Sequence, residues 1–280
     1  MNFLRNMDLW LVVPASFLIT LGGIILSSVS PSSFPQQFFY IGLAIVSFLV
    51  FANLDLRFLR AISPFLYVLS VALLLITILF GALIRGSSRL IEIGQITLQP
   101  SEIIKPLLIL FFANLAASGR KGMLIALFSF IPIFILVFIQ PDLGSAIVLT
   151  SSLFGILFLG GVPLWWFAGG AALFGILTPI FWRLLADYQK QRIHTFLSPA
   201  SDPLGAGYNS IQAMIAIGAG GLLGRGLGQG TQSQLAFLPE RHTDFVFAAL
   251  SEELGFLASM AVLIAYVVIF GRIIQTLRQT

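Results

Sequence analysis

Apolar residues in this chain fall into long runs separated by short polar stretches. Eight runs, at about 9–27, 36–54, 64–84, 101–118, 123–140, 143–160, 163–184 and 246–270, carry almost no charge. A helix needs about 20 predominantly apolar residues to cross the hydrocarbon core of a bilayer, so each run predicts a membrane span. Ser63-Pro64 has the form of a helix start, a capping hydroxyl followed by proline in the first turn. Pro14, Pro132 and Pro179 fall inside spans and predict kinks there. The expected fold is all-α: a polytopic integral membrane helical bundle of about eight transmembrane helices, with one long extracytoplasmic loop, 185–245, containing short helices. No internal repeat or linker divides it, so one membrane domain over 1–280 is expected. The first run begins at Leu9 behind Arg5 and reads as a spanning helix, not as a cleavable signal.

Lys and Arg in short loops set orientation. Arg5, Arg57, Arg60, Arg120, Lys121, Arg272 and Arg278 all fall on one side of the eight-span layout. That side is read as cytoplasmic, which places the N-terminus inside. The opposite side holds the loops at 28–35 and 85–100, the turn at Gln140-Pro141-Asp142 and the segment 185–245. It also carries Arg85, Arg89, Arg183, Lys190, Arg192, Arg225 and Arg241. Cations held on the outer face against the orientation rule point to an anionic ligand there.

Composition supports the membrane reading. The chain is 58% hydrophobic and 9% charged, with a mean hydropathy of +1.00, against roughly 25% charged residues in soluble domains. It has no Cys, which excludes disulfides, thiol catalysis and Cys-ligated metals. The net charge of +4 sits in loops between apolar runs and implies no nucleic-acid partner.

Four stretches carry candidate chemistry. In Gln99-Pro100-Ser101-Glu102 with Lys105, Ser101 can cap a helix and Glu102 suits its positive end. Lys105 is either the partner of Glu102 at the interface or a cation lining an outward cavity. Asp142 either caps the sixth span or orients a substrate or cation. Gly218 to Gly230 holds seven glycines around Arg225. It is either tight helix-to-loop packing or a cradle of N–H groups for phosphate. In Glu240-Arg241-His242-Thr243-Asp244, a helical turn would put Glu240 and Asp244 on one face. Partial desolvation beside Phe245 and Phe247 would suit Asp244 to act as a base; the alternative is a cap, with His242 a satisfied interfacial residue. Glu252 and Glu253 lie inside the eighth span and are expected to face the protein interior.

The stretch from Asp202 to Phe256, with GSSRLIEIGQITLQPSEIIKP at 86–106 and QPDLGSA at 140–146, closely resembles the signature regions of the SEDS (shape, elongation, division and sporulation) family, nearest to its elongation branch. The resemblance covers essentially the whole chain. It implies a peptidoglycan glycosyltransferase of the bacterial cytoplasmic membrane that polymerises lipid II, a disaccharide-peptide on undecaprenyl diphosphate, at the outer face. It implies a class B penicillin-binding protein as partner. The family's catalytic Asp falls on Asp244, and its conserved cations fall on Arg89 and Lys105. This chain departs from the family pattern in having Leu90 where Trp is usual. It also stops at Thr280, after the eighth span, where members carry ten spans, so the expectation is either a fragment or a chain lacking two helices.

Transfer from a diphosphate-linked donor needs cations for the leaving group and a base for the incoming sugar hydroxyl. Asp244 is the candidate base, with inversion at the anomeric carbon. Arg89, Lys105, Arg225 and Arg241 are the candidate cations, and Gln99, Glu102, Asp142, Glu240 and His242 complete the candidate substrate contacts. A divalent cation, Mg or Mn, could assist the diphosphate, but no cofactor is certain and no ligand cluster is legible. The other classes of function are a lipid II flippase and a non-catalytic scaffold for the penicillin-binding partner.

Overall fold

The computed structural model describes residues 7–84, 87–93, 96–140, 142–185, 187–198, 200, 202–203, 205 and 207–279. Helices form at every predicted span: α1 (Leu9–Val29), α2 (Phe34–Ala52), α3 (Leu56–Phe80), α4 (Pro100–Ala117), α5 (Arg120–Ile139), α6 (Leu143–Leu159), α7 (Leu164–Leu184) and, last in the chain, α11 (Val246–Gln279). Six of them, α1–α5 and α11, are long and apolar enough to cross a membrane; α2 reaches that length together with the 3₁₀ turn Pro31–Ser33 before it. The other two positions hold shorter apolar helices, Gly144–Leu159 and Leu164–Ile180. Between α7 and α11 lie the short helices α8 (Asp187–Leu197), α9 (Tyr208–Ala219) and α10 (Thr231–Gln234).

Three local expectations are corrected. Helix α3 starts eight residues before Ser63-Pro64, because the Asp55 side chain caps it by accepting from the Arg57 amide. Arg57 and Arg60 are therefore helical, and Pro64 lies inside the helix. Proline cannot donate to the carbonyl four residues back; here that carbonyl, of Arg60, accepts from Ser63 Oγ and Asn114 Nδ2 instead. Gln99 takes the position before α4 without a side-chain capping bond, Pro100 is first in the helix, and the Ser101 hydroxyl is used elsewhere. The interval 85–100 is more than a loop: β1 (Ala82–Ile84), β2 (Ser87–Ile93) and β3 (Ile96–Leu98) form an antiparallel sheet in the order β1-β2-β3.

The helices group into two compact units, Met1–Leu49 with Ile180–Thr280, and Val50–Pro179. The second unit holds α3–α6, the sheet and most of α7, packed on a core that includes Leu74, Ile104, Leu108, Phe112, Ile133, Val137 and Leu153. In the first unit α1 and α11 share a core of Ile25, Val29, Ala249, Leu250 and Val262. A smaller cluster there joins α9 to the start of α11 through Ala213, Ala216, Leu238 and Ala248.

Helix α11 is broken. Its 34 residues would run about 51 Å at 1.5 Å per residue, well beyond a bilayer core. At Gly255 the backbone turns to φ 77°, ψ −171°, which favours glycine. The break frees carbonyls before it and N–H groups after it, and the loop after α9 takes both sets. Arg225 N donates to Glu252 O and Gly226 N to Glu253 O, while Phe256 N donates to Gly221 O and Leu257 N to Leu222 O. Broken helices at membrane depth persist only where such groups are re-bonded. A side chain on Gly220, Gly224 or Gly255 would run into backbone across this contact.

Candidate functional site

The Asp244 turn belongs to the first unit. Residues 239–245 form a turn that feeds directly into α11. Glu240 has φ 50°, in the left-handed region, so Glu240 and Asp244 do not share a helical face as their spacing suggests. Thr243 N and Phe245 N both donate to Glu240 O, and Thr243 Oγ1 donates to Glu240 Oε2. Arg241 reaches back to α1, its Nε donating to Val29 O at 3.2 Å. His242, Thr243 and Asp244 are exposed. The Asp244 carboxylate has no hydrogen-bond or ion-pair partner among the described residues. The turn presents the Asp244 carboxylate outward.

The turn is pinned from below by two glutamates. Glu252 and Glu253 are fully buried, as their place in an apolar span predicts. Glu252 accepts from Gln232 N at 2.8 Å, Ser233 N at 2.9 Å and Thr231 Oγ1 at 3.3 Å. It thereby ties α10 to α11. Glu253 Oε1 accepts from Ser28 Oγ and Gln234 Nε2, and its Oε2 is buried with no partner. Arg225 is exposed and lies across the same region, donating from Nε to Ala219 O and from Nη1 to Thr231 Oγ1. Of the two readings of the glycine-rich segment, tight packing is what the backbone does, because the Arg225 and Gly226 amides are spent on α11 carbonyls.

The remaining candidates lie in the second unit. Asp142 caps α6, Oδ1 accepting from Ser145 N, and Oδ2 accepts from Ser101 Oγ and Gln99 Nε2, each at 3.0 Å. Burial would raise its pKa, but the hydrogen bonds from Ser145, Ser101 and Gln99 outweigh it and hold the carboxyl below its ordinary value. The capping alternative is thus the one realised. Glu102 and Lys105 pair at 2.6 Å on α4, Glu102 more exposed than Lys105. Arg89 lies on β2, and its side chain is outside the described residues.

Ser28, Gln234 and Ser145 were not singled out by the sequence, and Ser101 was read only as a helix cap. The partner of Ser28 is 225 positions away and that of Ser101 is 41, so no local spacing announces them. The hint is only a small polar residue interrupting an apolar run.

A family model described as "Cell cycle protein", of the FtsW, RodA and SpoVE type, matches residues 3–280. Peptidoglycan glycosyltransferase MrdB of Escherichia coli K12 is 43% identical over 239 residues, 83% of this chain and 64% of the relative. A probable peptidoglycan glycosyltransferase FtsW of Alteromonas naphthalenivorans is 37% identical, over 94% of this chain and 54% of its own length. Stage V sporulation protein E of Bacillus subtilis is 34% identical, over 95% and 77%. The chain thus spans less than two thirds of the first two relatives. Among solved structures, one of a peptidoglycan synthase complex, described as coordinating polymerization and crosslinking, superposes with a TM-score of 0.78 at 27% identity, over 95% of this chain and 77% of that one. The rod shape determining protein RodA of Thermus thermophilus gives 0.66 at 25% identity, over 95% and 74%.

Proposed function

The chain belongs to the FtsW/RodA/SpoVE family of cell cycle proteins, and from that premise we propose that this multi-pass membrane protein polymerises lipid II into glycan strands at the outer face of the bacterial cytoplasmic membrane. The observation that carries the reading is the Asp244 carboxylate: exposed, unpartnered among the described residues, and fixed at the mouth of a broken helix. A general base must be free to take a proton and must not wander. The 4-hydroxyl oxygen of the incoming sugar bonds to the anomeric carbon of the donor as its proton passes to Asp244. The bond from that carbon to the diphosphate breaks, and undecaprenyl diphosphate leaves with the electron pair. Attack opposite the leaving group inverts the anomeric centre.

The departing charge needs fixed cations. Arg225 and Arg241, in the same unit as Asp244, are the groups assigned to it, and Glu240 and His242 of that unit are assigned to substrate contact. Asp142 holds Gln99 and the start of α4. Mg or Mn, when bound, would neutralise charge on the departing diphosphate; among the described residues no three His, Cys, Asp or Glu side chains gather to hold a metal. The same proposal puts the N-terminus in the cytoplasm and takes as partner a class B penicillin-binding protein that cross-links the strand.

A flippase is the second reading, since transporters build sites from interrupted helices. The break at Gly255 is such an interruption, but its freed backbone groups bond the glycine loop and are not offered to a ligand. The test is incubation of the purified protein with fluorescent lipid II and separation of the glycans. Ladders from the wild type and none from a folded Asp244→Ala variant are expected. Full-length ladders from Asp244→Ala would remove Asp244 from the reaction. Lipid II moved across vesicles without any glycan product would replace the polymerase by the flippase.

A further inference from the structure

Three separate segments converge on the last turn of α1. Ser28 Oγ donates to Glu253 Oε1 of α11 at 2.9 Å. Gln234 Nε2, from α10, donates to the same Glu253 oxygen at 2.8 Å and to Ser28 O at 3.2 Å. It also lies 3.4 Å from Ser28 Oγ, which can accept while its own proton goes to Glu253. One residue on, Val29 O accepts from Arg241 Nε of the catalytic turn. The apolar side of the same turn of α1, Ile25 and Val29, packs on Ala249 and Leu250 in the first half of α11. The end of α1 is therefore bonded to the helix before the catalytic turn, to the turn itself and to the helix after it.

We propose that Ser28 is a positioning residue for Asp244, acting through this three-way knot with Gln234 and Glu253; the proposal rests on the reading of Asp244 as the base. The knot matters because the Asp244 side chain has no partner of its own among the described residues. Its placement comes entirely from the backbone of residues 239–245. That backbone is fixed at its far end by α11. At its near end it is fixed by α10, through Gln234 and Glu252, and by Arg241 on α1. Ser28 supplies the hydroxyl that completes Glu253. Without it the buried carboxylate keeps one donor, Gln234, while its second oxygen already has none. A buried carboxylate short of donors draws in water or shifts its helix. A shift of about 1 Å at the reacting centre is enough to cost on the order of a hundredfold in rate.

The test compares Ser28→Ala with Ser28→Thr, which keeps the hydroxyl, in the complete protein. Chain growth is measured per folded molecule across a range of lipid II concentrations, and backbone amide exchange of residues 239–246 is followed by mass spectrometry. For Ser28→Ala, a fall in kcat of about tenfold, with KM within about twofold, is expected. Its turn amides should exchange faster, and Ser28→Thr should restore both. A structural residue would lower Tm and leave kcat per folded molecule alone. Turn exchange and kcat both within about twofold of wild type in Ser28→Ala would overturn the proposal. Wild-type protein that makes no glycan would instead sink the polymerase reading. The exchange arm would then decide the knot alone: faster turn exchange supports it, unchanged exchange overturns it.

Discussion

Asp142 has its carboxylate filled, Oδ1 by the Ser145 amide and Oδ2 by Ser101 and Gln99; Asp244 has none of this. Both acids sit just before a helix, and both read from the sequence as either caps or substrate groups. What separates them is contact with residues 41 and 43 positions away for Asp142, which spacing along the chain cannot show. Replacing Asp142 by Asn puts an amide donor among donors. A loss of about 1–3 kcal/mol in thermal or denaturant unfolding in detergent is expected, from buried groups left unsatisfied. The pH dependence has a definite sign. The folded pKa of Asp142 lies below its ordinary value, so its contribution is complete above the ordinary carboxylate range and is lost as pH falls through the folded value. Unfolding followed downward from about pH 6 should show an acid-side fall in the wild type, and Asp142→Asn should lack that component.

Helix α11 shows how a string of glycines becomes architecture. The sequence gives the glycines of 218–230 and an apolar run at 246–270, but not that one interrupts the other. Legibility fails there because backbone-to-backbone contact leaves no mark in polarity or periodicity. The positive φ of Gly255 and the backbone that its Cβ would meet make Gly255→Ala a severe change. It should cost about 2–4 kcal/mol, summing the left-handed penalty with overpacking. Gly169→Ala, in α7 with open space beside it, should be neutral or raise Tm slightly. Equal Tm values for the two variants would show that the α9–α11 contact does not carry the break. The helices were legible from run length, and six of the eight have membrane-crossing length. Their ends were less so: Asp55 took the cap that Ser63-Pro64 suggested, because an acidic cap at the true start left Pro64 to be accommodated by Ser63 and Asn114.

At the scale of the molecule, orientation is the expectation that most constrains the chemistry. The chain has no native Cys, so single cysteines report cleanly. A membrane-impermeant maleimide should label Leu235→Cys in intact cells, and Lys121→Cys only after the cells are opened. The reverse pattern would put the Asp244 turn on the cytoplasmic side and end the polymerase reading. The candidate acid was named from the sequence at 242–245, but its surroundings, which come from α1, α10 and the broken α11, leave no mark there. The most direct measurement is the single-turnover rate of glycan bond formation from lipid II by wild type and by Asp244→Asn, which keeps the shape of the side chain and removes its basicity. A fall of about 10²–10⁴-fold, with lipid II still bound, is expected for loss of a general base. A rate within about threefold of wild type would contradict it.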